Sequence, residues 1–177
     1  MKTIRQILAV TLLAFSQVFG QQVLTFEADA DAALSMSINT DPTAVNTNYG
    51  TSTQNAAYHL PGQFQTWSYF NRSLIHFDLS SIPANSVISS ATIDLYALGV
   101  SGAVNGHSTV ANSAWLRRAF AAWDVNTVTW NTQPPITHPG GVVLPSSTNP
   151  LQDYLGVDVT EMVRFMVANP SQNFGFK

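Results

Sequence analysis

Two large aromatic residues two positions apart, Trp67 and Tyr69, are the part of this sequence best suited to chemistry. Side chains alternate between the faces of an extended strand, so both rings point the same way, together with Gln63, Gln65 and Asn71. Arg72 follows at once. Flat rings of this kind can stack on the apolar C–H faces of a sugar, while the amides and the guanidinium hydrogen-bond its hydroxyls. The candidate binding set is therefore Trp67, Tyr69, Asn71 and Arg72. The competing use of such rings is to fill the core, where large aromatics contribute most of their burial energy.

Other chemistries find less support. The zinc-protease, nucleophile-elbow, phosphate-loop and dinucleotide motifs do not occur. Glu27 and Glu161 are the only glutamates, whereas glycosidases use a pair of carboxylates across a cleft. Asp78 and Asp94 fall on neighbouring strands and read as a cross-strand charge arrangement. Tyr69, Arg72 and His76 lie close together in sequence and carry the residue types of a lyase. The four histidines, His59, His76, His107 and His138, lack metal-ligand spacing. Asp29, Asp31, Asp41 and Asn48 offer oxygens to a structural calcium but also suit loop turns, so no cofactor or metal is assigned.

These residues need a scaffold, and the stretch from Asn71 to Leu98 supplies its centre. Ile75, Phe77 and Leu79 alternate with His76 and Asp78; after a break at Pro83, Ala91, Ile93, Leu95 and Ala97 alternate with Thr92, Asp94 and Tyr96. Both read as half-buried antiparallel strands. Further strands are expected at residues 23–26, 32–38, 58–60, 108–117, 128–130 and 157–159. Thr160 is placed to cap a short helix with Val159, Val163, Met166 and Val167 along one side, which Pro170 stops. Trp115, Trp123 and Trp130 read as packing residues, and Arg117-Arg118 as an exposed edge. Short strands at this spacing predict an all-β, jelly-roll-like antiparallel sandwich with one short C-terminal helix.

The first twenty residues read as a secretory leader: Lys2 and Arg5, an apolar run from Ile7 to Phe15, then small residues before Gln21. That predicts export and an extracellular location. Loss of Lys2 and Arg5 leaves five cations against ten carboxylates, a net charge of −5. Such a balance suits neither nucleic acid nor an anionic membrane, and no later run is long enough to span a bilayer. With no cysteine, the fold depends on its core. Residues 21–177 have the length of one domain.

The run Arg72-Ser73-Leu74, Phe77-Asp78-Leu79-Ser80-Ser81-Ile82-Pro83-Ala84 and Ser90-Ala91-Thr92-Ile93-Asp94-Leu95-Tyr96 resembles the signature of the DNRLRE domain, or carbohydrate-binding module family 96. Asp31-Ala32-Ala33-Leu34, Asn48-Tyr49-Gly50, Trp123, Val128-Thr129-Trp130-Asn131, Pro134, Asp158-Val159-Thr160 and Asn173-Phe174-Gly175-Phe176 follow the same pattern in order. The resemblance covers nearly all the chain after residue 28. It implies a secreted module that attaches its protein to a polysaccharide and has no catalysis of its own. The alternatives are a polysaccharide lyase or hydrolase, or a structural or adhesion spacer of a larger surface protein. Alginate binders of that family face a polyanion; the net charge here predicts a neutral glycan instead. Residues 173–177 look like the opening of a strand, and members of the family typically continue beyond this point. The expectation is therefore a fragment of a longer parent protein whose domain is completed by a further strand.

Overall fold

The computed structural model describes residues 7–13, 21–38, 41–52, 56–61, 68–98, 107 and 111–177. Its strands are β1 (Ile7–Leu13), β2 (Gln22–Glu27), β3 (Ala30–Ile38), β4 (Tyr58–Pro61), β5 (Ser68–His76), β6 (Val87–Leu95), β7 (Ala114–Ala119), β8 (Ile136–Leu144) and β9 (Tyr154–Asp158). A single α-helix, α1 (Thr160–Ala168), comes near the end. One sheet runs β2-β1-β6-β9; in the other layer β3-β5-β4 and β7-β8 form separate ladders. Every strand pair is antiparallel. This is the expected all-β arrangement.

The two ladders of the second layer are joined by three residues. Ile75 and Phe176 exchange backbone hydrogen bonds at 2.9 and 2.7 Å, and Arg117 and Lys177 do the same at 2.9 and 2.7 Å. The Ala119 N–H donates to the Gly175 carbonyl. Residues 175–177 are thus a short strand wedged between β5 and β7. Only glycine fits its first position: Gly175 has φ of +75°, and a Cβ there would stand 2.2 Å from the Ile75 carbonyl oxygen.

Alternation decides which side chains meet. On β5, Ile75 points inward, and Phe77 follows into the same core with Leu79, Ile82, Ile88, Ala91, Ile93 and Leu116. Phe176 is fully buried among them, edge-on to Phe77 with ring centroids 6.1 Å apart. Helix α1 closes this core with Met162, Val163, Met166 and Val167. Its start differs from the expected cap. Val159 is the residue before the first turn, and the Asp158 carboxylate accepts the Thr160 N–H at 2.9 Å. The Thr160 hydroxyl and N–H hold that carboxyl below its usual range. Thr160 itself turns to the sheet, its hydroxyl accepting the Ala91 N–H. The opposite face of β5 carries a second, smaller core of Ala32, Leu34, Leu74, Ala119 and Val128, roofed by Trp123, Trp130 and Phe174. Among the described residues no helix is long and apolar enough to cross a membrane.

Phe176 bears on both the ladder and the main core, so Phe176→Ala is expected to lower stability by about 3–5 kcal/mol. Phe120→Ala, at a ring 60 % exposed, should change it by no more than about 0.5 kcal/mol. Equilibrium urea unfolding of the two variants measures the contrast.

Candidate functional site

The register across the short strand 175–177 sets out the site. Phe176 lies opposite Ile75 and Arg118, which puts Lys177 level with Leu74 on β5 and with Arg117 on β7. Phe176, Ile75 and Leu116 face the core. Arg72, Lys177, Arg117 and Trp115 fall on the other parity, the outer face of the layer. Arg72 and Trp115 come level with one another two strand spacings apart, about 10 Å.

Aromatic rings flank these cations. The Arg72 guanidinium carbon lies 4.5 Å from the centre of the Trp130 ring, and its Nη1 donates to Gln133 Oε1 at 3.0 Å. Phe70, two residues back on the same face, meets Trp130 at 6.3 Å and stacks on His59 at 4.2 Å with planes 6° from parallel. On β7, Arg117 lies over the Trp115 ring, again at 4.5 Å. Trp115 is 57 % exposed. Gly141, opposite Arg117 on β8, makes room for this: a Cβ there would come within 2.7 Å of Arg117 Cγ. Lys177 sits between the two pairs and donates from Nζ to the Pro134 carbonyl at 2.9 Å. Burial, reinforced by the nearby Arg72 charge, pushes its ammonium down to about 8.

Three of the five cations downstream of residue 20 thus lie on one strip. The other two are employed elsewhere. Arg118 packs over Phe165 at 3.6 Å, where burial lowers its pKa. Arg164 donates to the Ile88 and Ser89 carbonyls and to Glu161. The strip therefore carries positive charge on a molecule that is negative overall.

Of the three candidate residues that are described, Arg72 alone belongs to the strip. Tyr69 and Asn71 share the inner-facing parity of Ile75 and are half-buried. Trp67, with Gln63 and Gln65, lies outside the described residues. The Tyr69, Arg72 and His76 constellation does not assemble either. Tyr69 is on the opposite face from Arg72, and His76 lies four residues along the strand, about 13 Å from it. His76 is bonded to Asp29 at 2.7 Å and to the Asn173 carbonyl at 3.2 Å. Asp78 and Asp94 do not meet. Asp78 accepts the Ser80 N–H, and the Ser80 hydroxyl and N–H lower its pKa; Asp94 accepts the Gly156 N–H. Of the candidate calcium oxygens, Asp41 Oδ1 accepts from the Thr43 N–H and hydroxyl and Asn48 Oδ1 accepts the Gly50 N–H, while Asn48 Nδ2 donates to the Val125 and Val128 carbonyls. Among the described residues no three His, Asp or Glu side chains converge.

Trp115 and Trp130 read from sequence as packing residues, and Arg117 as a bland edge. The signal that finds them is parity: Trp115 with Arg117 and Phe70 with Arg72 are each two apart on a strand. A hollow of about 380 Å³ lies beside Trp123, Asp124, Thr127, Val128 and Thr132. Asp124 there closes its own turn through the N–H of Asn126, so the hollow offers few free polar groups.

The family model for Carbohydrate-binding module family 96 matches residues 23–177. Neither the curated proteins nor the solved structures contain a match to the chain.

The depressed Lys177 pKa has a stability consequence. Folded Lys177 releases its proton near pH 8, whereas an unfolded lysine holds it to about 10.4. Between those values the unfolded state binds more protons, so this residue makes stability rise as pH increases from about 7.5 to 9.5. Melting temperatures across that range, compared with Lys177→Met, should show the rise flattened in the variant.

Proposed function

The chain belongs to carbohydrate-binding module family 96, and on that premise we propose that residues 21–177 act as a secreted, non-catalytic module that holds its protein on an acidic polysaccharide through the outer strip. The observation that carries this reading is the gathering of Arg72, Lys177 and Arg117 between Trp130 and Trp115. A guanidinium meets a carboxylate with two parallel N–H···O bonds, and such charge-assisted pairs are the stronger kind. The exposed Trp115 ring offers an apolar plane for the pyranose face, and Gln133 and His59 supply further polar groups.

Local charge outweighs net charge here because the Debye length is only about 8 Å at physiological salt. A sugar carboxylate lying on the strip is screened from distant acidic residues and meets the cations directly. The leader pattern at the N-terminus supports export. The separation of Tyr69, Arg72 and His76 favours binding over cleavage.

Affinity electrophoresis of the secreted protein tests the reading. Retardation by a polyuronate such as alginate is expected, weakening with added salt, and little retardation by neutral β-glucans or mannans. Arg72→Gln and Arg117→Gln should each weaken binding about ten- to a hundredfold, the loss of one charge-assisted pair. Binding should also fall as pH rises past 8, where Lys177 loses its charge. Equal retardation by neutral glucans, or release of unsaturated or reducing ends from the polymer, would overturn it.

A further inference from the structure

Arg72 is held in place by groups far along the chain. Its guanidinium carbon lies 4.5 Å from the centre of the Trp130 ring, and its Nη1 donates to Gln133 Oε1 at 3.0 Å. The other end of the same amide is also engaged, Gln133 Nε2 donating to the Trp130 carbonyl at 2.6 Å. The amide can sit only one way round, because a guanidinium has no acceptor and a carbonyl no donor. One half-buried side chain thus holds both halves of the Arg72–Trp130 pair.

The turn that carries Gln133 is fixed independently of Arg72. The Thr129 N–H donates to the Thr132 hydroxyl at 2.9 Å, and the Thr132 N–H to the Thr129 hydroxyl at 3.3 Å. Between them, Asn131 is tied to the loop that follows β3. Its N–H donates to the Val45 carbonyl at 3.0 Å and its Nδ2 to Asn46 Oδ1 at 2.8 Å. Just beyond Gln133, the Pro134 carbonyl accepts from Lys177 Nζ, and the Pro135 carbonyl accepts the Phe120 N–H at 2.9 Å. Residues 129–135 therefore form a template anchored at both ends, with two cations of the strip set against it. Arg72 is exposed, and like charge on the neighbouring Lys177 would push an unrestrained guanidinium outward into water.

We propose that Gln133 is a positioning residue of the outer strip: it holds the Arg72 guanidinium against Trp130, so that the edge formed by Nε and Nη2 meets a sugar carboxylate already ordered. This rests on the reading of the strip as a binding face for an acidic polysaccharide, and it names the residue that sets the geometry of that face. A planar carboxylate is met best by two parallel N–H groups. With Nη1 turned to Gln133, the Nε and Nη2 edge carries such a pair. A long side chain ordered in advance loses less freedom when the ligand arrives, and the difference appears as affinity.

Two measurements on protein purified from expression of the full chain provide the test. In NMR spectra without ligand, the ring current of Trp130 should displace the Arg72 side-chain signals. Gln133→Met should abolish that displacement, and Gln133→Glu, which keeps an oxygen acceptor for Nη1, should preserve it. In affinity electrophoresis with alginate as the probe, Gln133→Met should weaken binding about two- to tenfold, the cost of ordering one long side chain. In an Arg72→Gln background the same change should cost nothing further, because its effect passes through Arg72. Gln133→Glu should weaken binding at least as much as Gln133→Met, since its carboxylate competes with that of the sugar. Arg72 signals unmoved by Gln133→Met, or equal losses of binding in the two backgrounds, would overturn the proposal and leave the polysaccharide reading standing. A wild-type protein that alginate does not retard would overturn that reading, and the proposal with it, before any variant is compared.

Discussion

Three residues, Gly175, Phe176 and Lys177, hold the second layer of the sandwich together. Their backbone bonds to Ile75, Arg117 and Ala119 turn two separate ladders into one surface. Buried backbone groups must find partners, so the inner ends of β5 and β7 depend on this wedge. Phe176 fills the core from one side of it, and Lys177 stands on the other among the cations. Stability and the candidate site therefore share one element.

That sharing explains why the two faces differ so sharply in composition. The inner face of the wedge is Phe176 with Ile75 and Leu116, all buried. The outer face carries charge because the loop bearing Trp123, Val128 and Trp130 covers it only over Leu74, Leu34 and Ala119. Beyond the edge of that roof the long cationic side chains lie along the sheet, Arg72 exposed and Arg117 and Lys177 half-buried. Gly141 leaves the space in which Arg117 does so.

Much of the architecture was legible in the sequence because alternation is a local signal. The parity of Ile75, Phe77 and of Ala91, Ile93 placed both central strands on the core, and the apolar side of α1 was visible in Val163, Met166 and Val167. The family resemblance pointed the same way. The site was less legible. Tyr69 and Arg72 lie three residues apart, and an odd spacing puts them on opposite faces of a strand. Arg72, Arg117 and Lys177 lie far apart in the chain and meet only through the pairing of residues 175–177, which no local pattern reveals. Net charge is blind to this strip for a related reason, since a sum over the chain has no position. Trp115 illustrates the remaining difficulty: a tryptophan in a strand is usually buried, and only the register with Val143 places this one outside.

Arg72, Arg117 and Lys177 on one face of an acidic protein also make its charge uneven. Within about a Debye length of a polyanion, roughly 8 Å at physiological salt, such unevenness would favour approach by the cationic face. The excess of carboxylates over cations would make two molecules that settle side by side repel one another. On an acidic polymer this favours a fixed orientation and a wide spacing between neighbours, so that coverage would saturate before the polymer is full.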